Sequence, residues 1–163
     1  IHGKLVLMAS GEKDVFEAYK EVLAVIANEV FFLGKSGSAH SIKLAMNLQI
    51  SLLALALSEG ITLTKKAGFD PEKFLDILNS TYFKTGMSEN KAYKMIKDEF
   101  EPTFTLKNLQ KDLDIITTAA KDFGAVLPIA ERANEIYRDA LDAGLGEIDY
   151  TGILAYIKKL SED

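Results

Sequence analysis

The chain has 163 residues, 48% of them hydrophobic, enough for one ordinary core or a core with a short attached unit. Its 24 acidic and 19 basic residues give a net charge of −5, and no Lys/Arg run interrupts the pattern, so a nucleic-acid-binding surface is not expected. With no cysteine, and with His2 and His40 far apart and outside any carboxylate cluster, neither a disulfide scaffold nor a metal site is expected; the composition suits a reducing cytoplasm.

The elements follow in order. Residues 4–9 form a short apolar run ending in Ser10-Gly11 and read as a buried strand. Residues 12–27 carry Val15, Phe16, Tyr19, Val22, Leu23 and Ile26 at spacings of three and four, the mark of an amphipathic helix. Val30-Phe31-Phe32-Leu33 reads as a second strand, closed by Gly34. One strand-helix-strand unit cannot form a stable sheet alone.

Beyond Gly34 the strand signals stop. A long helix is expected over residues 38–67, ending at Gly68. Between Leu44 and Thr64 its only charged residue is Glu59. Its purely apolar stretch is too short for a membrane span, which favours a buried central helix. Asp70-Pro71 caps and opens a helix to Asn79. Further helices are expected over 88–97, 105–123 and 128–143, with Asp149 capping a last one through Leu160. The fold class is mainly α, with an N-terminal piece over 1–34 and a helical domain over 35–163.

The turn Gly34-Lys35-Ser36-Gly37-Ser38 leads straight into the long helix. It is not a P-loop, because Glu29 stands where the first glycine is required. Free backbone N–H groups at a helix start favour an anion such as a carboxylate, and a plain strand-to-helix turn fits the same residues. Lys43 and Asn47 are four residues apart and share a helix face. An amine held beside apolar material is the setting in which a lysine serves as a general acid/base; locally, a surface lysine at a frayed first turn fits as well. Lys111-Asp112 falls off the face shared by Leu106, Leu109 and Leu113 and reads locally as a solvated charged turn.

Together these residues resemble the β-hydroxyacid dehydrogenase family, which includes 3-hydroxyisobutyrate dehydrogenase and lies in the 6-phosphogluconate dehydrogenase superfamily. The family's Gly-x-x-Gly-Ser-Gly turn, lysine and asparagine fall on Gly34, Gly37, Ser38, Lys43 and Asn47, with Ala39 in place of the third glycine. A second family element falls on Phe104, Leu106, Lys111, Asp112 and Leu113.

The resemblance implies an all-helical C-terminal dehydrogenase domain preceded by a strand-helix-strand remnant of a Rossmann domain. Nothing in the sequence matches the Gly-x-Gly-x-x-Gly fingerprint, and the family's Ser-Gly-Gly segment would precede residue 1, so the chain is expected to be a piece of a longer protein and inactive alone. The implied reaction moves a hydride between NAD or NADP, bound mainly by the missing domain, and a small β-hydroxyacid or its semialdehyde. In that reaction Lys43 would be the general acid/base and Asn47 would hold it in line with the substrate oxygen. Gly37 and Ser38 would border the substrate carboxylate, and Lys111 would reach the cofactor. A homodimer or homotetramer is expected, with no nucleic acid or membrane partner. The competing reading is a non-catalytic helical oligomerisation or binding module; Lys43 in register argues against it.

Overall fold

The computed structural model describes residues 5–162. The chain forms two compact units that divide between Met46 and Asn47.

The first unit holds β1 (Val6–Ala9), α1 (Lys13–Ile26) and β2 (Glu29–Phe32). The strands run parallel, with Val6 opposite Glu29 and Ala9 opposite Phe32. Phe16 stacks on Phe32 with ring centroids 4.7 Å apart, which seats α1 on the sheet. No residue of α1 is fully buried, and Val15, Tyr19, Val22 and Val25 are exposed. The expected strand start at Lys4 lies outside the described residues.

The long helix α2 (Ser38–Lys66) begins in the first unit and continues into the second. It is long and apolar enough to cross a membrane, with a mean hydropathy of 1.5 over its most apolar window, of which 33% is buried. Its buried residues run from Ser51 to Thr62, so the helix is buried in its middle and not throughout. Leu57 and Ile61 pack with Leu75, Ala92, Met95 and Leu154 into one cluster.

After α2 come α3 (Pro71–Asn79), α4 (Gly86–Asn90), α5 (Ala92–Ile96), α6 (Leu106–Asp122), α7 (Pro128–Ala140) and α8 (Ile153–Leu160). Asp70 caps α3 as expected, accepting from Glu72 N at 2.9 Å.

Three elements differ from the sequence reading; one is the last helix, which starts at Ile153 behind a separate short turn, Tyr150–Gly152, and not at the Asp149 cap. The single helix expected over 88–97 is two short ones that meet at Lys91, whose backbone stays in the right-handed helical region but with φ stretched to −118°. The Lys91 amine reaches Asp149 at 2.9 Å and Thr103 at 2.8 Å, contacts that local periodicity does not encode. The helix expected to run to residue 143 gives way after Ala140 to a π turn, Leu141–Leu145, in which Gly144 takes a φ of 88°. That left-handed conformation is one that glycine adopts without steric cost.

Candidate active-site residues on α2 and α6

The turn before α2 needs glycine twice. Gly34 and Gly37 have φ of 79° and 94°, and nothing lies within 4 Å of where a Cβ would stand at either. Conformation and not crowding fixes these residues. The Gly37 carbonyl accepts from Ser41 N at 3.1 Å, and Ser38 N donates to the Lys35 carbonyl at 3.1 Å. Gly37 is exposed and Ser38 is half-buried at the first residue of α2.

Lys43 follows on α2 and is exposed. The apolar flank expected around its amine is not formed here, because the neighbouring Ile42 and Met46 are themselves exposed and burial on α2 starts at Ser51. One turn further along, Asn47 is half-buried, and its Nδ2 donates to Oδ2 of Asp112 on α6 at 2.7 Å. A carboxylate accepts and does not donate, so the contact also fixes which end of the amide is nitrogen. The Asn47 carbonyl oxygen and second N–H remain available to other partners.

The start of α6 is fixed from several sides. Thr105 caps it, accepting from Asn108 N at 3.3 Å. The next two amides, Leu106 N and Lys107 N, donate to the carbonyls of Ile148 and Gly146 at 2.9 and 3.0 Å. These bonds satisfy donors that a helix terminus leaves without partners. Asp149 anchors the same region. It caps the short turn Tyr150–Gly152 and not the last helix itself, and it also accepts from Lys91, Thr103 and Thr151. Burial pushes the Asp149 carboxyl up, but the hydrogen bonds from Lys91, Thr103 and Thr151 outweigh it and hold the group well below the usual carboxylate range. Burial, and then the Asp149 charge, push the neighbouring Tyr150 phenol up to about 12.

Along α6, Leu106, Leu109, Leu113 and Ile116 face the core, while Lys111 is exposed and Asp112 is half-buried. Lys111 heads a groove of about 360 Å³ that also includes Asp114, Ile115, Thr118 and Asp122, and it makes no ion pair among the described residues. Among the described residues no group of three or more His, Asp or Glu side chains could hold a metal ion.

Sequence reasoning assigned Lys111 a role and left Asp112 without one. The available signal was its register, one step off the buried leucine stripe. A second polar group was missed altogether: Asp114, Gln110, Asn134 and Arg138, which join α6 to α7. Its trace in the sequence is a pair of polar residues four apart on each helix.

The two sequence elements that resemble the β-hydroxyacid dehydrogenases therefore meet in space through Asn47 and Asp112. A profile described as the NAD-binding domain of NADP-dependent 3-hydroxyisobutyrate dehydrogenase matches residues 37–157. The chain belongs to this family.

Glyoxylate/succinic semialdehyde reductase 1 of Arabidopsis thaliana is 31% identical over 156 residues, 96% of this chain and 54% of that protein. The cytokine-like nuclear factor N-PAC of Aedes aegypti is 29% identical over 151 residues, 93% of this chain and 27% of that protein. Among solved structures, a 3-hydroxyisobutyrate dehydrogenase from Salmonella typhimurium is similar with a TM-score of 0.84 and 25% identity, over 91% of this chain and 53% of that one. The Mycobacterium tuberculosis 3-hydroxyisobutyrate dehydrogenase with L-serine shares the fold, with a TM-score of 0.83 at 19% identity, over 95% of this chain and 55% of that one. The chain thus spans about half the length of the family's dehydrogenases and reductases that it matches.

Lys111 and Thr118 are the donors in the α6 groove, beside the carboxylates of Asp114 and Asp122. No Gly-x-Gly-x-x-Gly turn is present to cradle a pyrophosphate. The exposed amine of Lys111, without an ion-pair partner among the described residues, fits a polar or anionic group approaching α6.

Proposed function

We propose that this chain is the helical part of an oxidoreductase that interconverts a small β-hydroxyacid and its semialdehyde. The observation that carries the reading is the Asn47–Asp112 hydrogen bond, since it ties the lysine-bearing helix of the family to its Lys-Asp-Leu element.

Lys43 takes the substrate hydroxyl proton on oxidation and returns it to the carbonyl oxygen on reduction. Asn47, with Nδ2 held by Asp112, turns its remaining polar atoms to the substrate oxygen and to the lysine. Gly37 and Ser38, in the turn that opens α2, border the substrate carboxylate, Gly37 through its backbone N–H and Ser38 through its hydroxyl, since the Ser38 N–H already donates to the Lys35 carbonyl. Lys111 holds the cofactor at its nicotinamide end. When bound, NAD or NADP supplies the hydride acceptor or donor, and the longer protein supplies the rest of its binding site.

Self-association belongs to the same proposal. Ile42, Met46 and Leu63 of α2 are exposed apolar residues, and a second copy of the chain would cover them as a homodimer or homotetramer.

The test is NAD(P)H absorbance with the complete protein and a panel of small β-hydroxyacids and semialdehydes, with this chain assayed alongside. Turnover by the complete protein and none by the chain alone supports the reading. Silence from both, with self-association retained, favours a helical assembly module instead.

A further inference from the structure

Helix α6 is held by polar contacts on two opposite flanks. Asp112 and Asp114 are two residues apart, so they project about 200° apart around the helix axis. Asp112 meets Asn47 of α2 on one flank. On the other, Asp114 Oδ1 accepts from Asn134 Nδ2 at 2.9 Å and from Arg138 Nη2 at 2.7 Å, both on α7. Gln110 Nε2 donates to Asp114 Oδ2 at 2.8 Å and to Asn134 Oδ1 at 3.4 Å. Gln110 and Asn134 are only 7% and 8% exposed.

Burying two amides against a half-exposed carboxylate where apolar side chains would pack as well gives little net stability. What such a cluster adds is direction. The leucine stripe of α6 attracts without orientation, and the polar contacts add a directional restraint on helix rotation to the one that core packing supplies. At a radius of about 5 Å, a roll of about 20° moves a side-chain atom by about 2 Å, enough to break the bond between Asp112 and Asn47.

We propose that Asp114, clamped by Asn134, Arg138 and Gln110, is a positioning residue for Asn47, because it fixes the rotation of α6 and so aims Asp112. The catalytic consequence rests on the dehydrogenase reading above; the geometric one does not.

The experiment follows the Asn47 side-chain amide by NMR in the ¹⁵N-labelled chain, assigned by its disappearance in Asn47→Asp. The Asp114 side chain is 45% exposed, so Asp114→Ala opens no enclosed cavity, and the dispersion of the backbone amide spectrum reports directly that the variant is folded. It is expected to speed exchange of the Asn47 amide protons by about tenfold or more, and in the complete protein to lower kcat about tenfold with KM little changed. Asp114→Asn keeps an acceptor for Asn134 and Arg138 and restores most of the protection. Arg132→Ala, on the exposed side of α7, leaves Asn47 exchange as it was. Unchanged Asn47 exchange in Asp114→Ala overturns the inference and leaves the dehydrogenase reading standing. A complete protein without hydride transfer sinks that reading, while Asn47 exchange still decides the inference.

Discussion

Asn47 on α2 and Asp112 on α6, 65 residues apart in the chain, are joined by a 2.7 Å hydrogen bond from amide to carboxylate. Each residue belongs to a different sequence element, and the contact gives the asparagine a defined orientation. Asp112→Ala should therefore lower kcat of the complete protein by about tenfold or more, because a misaligned catalytic neighbour costs more than its binding contribution. Loss of one charge-assisted bond costs about 1.5–3 kcal/mol, so the melting temperature should fall by about 3–12 °C. Asp112→Asn, which can still accept, should recover part of the rate. Steady-state kinetics and a melt on the three proteins check this.

Lys43→Ala should abolish turnover and leave cofactor affinity intact. General acid/base groups contribute about 10²–10⁴-fold, so a variant keeping more than about a tenth of the wild-type kcat would remove Lys43 from that role. The measurement pairs initial rates with fluorescence titration of NAD(P)H.

Lys111→Ala should act in the opposite order. Cofactor affinity weakens first, because the exposed amine is available to a polar or anionic group. The same fluorescence titration decides it; unchanged affinity would return Lys111 to a merely solvated position on α6.

Asp149 should make stability fall in acid. Burial raises its pKa, and the hydrogen bonds from Lys91, Thr103 and Thr151 lower it by more, so its folded value lies well below its unfolded one. The stabilisation is then complete above the unfolded value of about 4 and is lost as pH falls through the folded value. Asp149→Ala, which leaves Lys91 and two threonines without their acceptor, should cost about 3 kcal/mol at neutral pH and flatten the acid limb. Chemical denaturation of both proteins between neutral pH and acid tests the sign. An acid limb of equal steepness in the variant would remove Asp149 as its source.

Much of this architecture could be read locally. Apolar spacing placed α1, α3 and α6 close to where they stand, and Asp70-Pro71 marked the start of α3. The glycines at 34 and 37 proved to be conformational requirements, as a turn into a helix suggests. The junction at Lys91 was not legible, because the side chain there finds its partner Asp149 58 residues later. The extent of burial on α2 escaped the sequence as well: a helix apolar all round does not announce which turns have neighbours.

The sequence by itself determined the mainly helical class, the turn that opens α2, the i, i+4 register of Lys43 and Asn47, and the resemblance that the family match bears out. These are properties of neighbours along the chain, set by backbone conformation and helical period. Only the tertiary structure decided which polar groups meet: Asn47 with Asp112, Lys91 with Asp149, and Asp114 with Asn134 and Arg138. A polar residue on a helix has the same local energetics whichever neighbour it faces. Its partner is fixed by how the helices roll and pack against one another, and that is settled by the whole core at once.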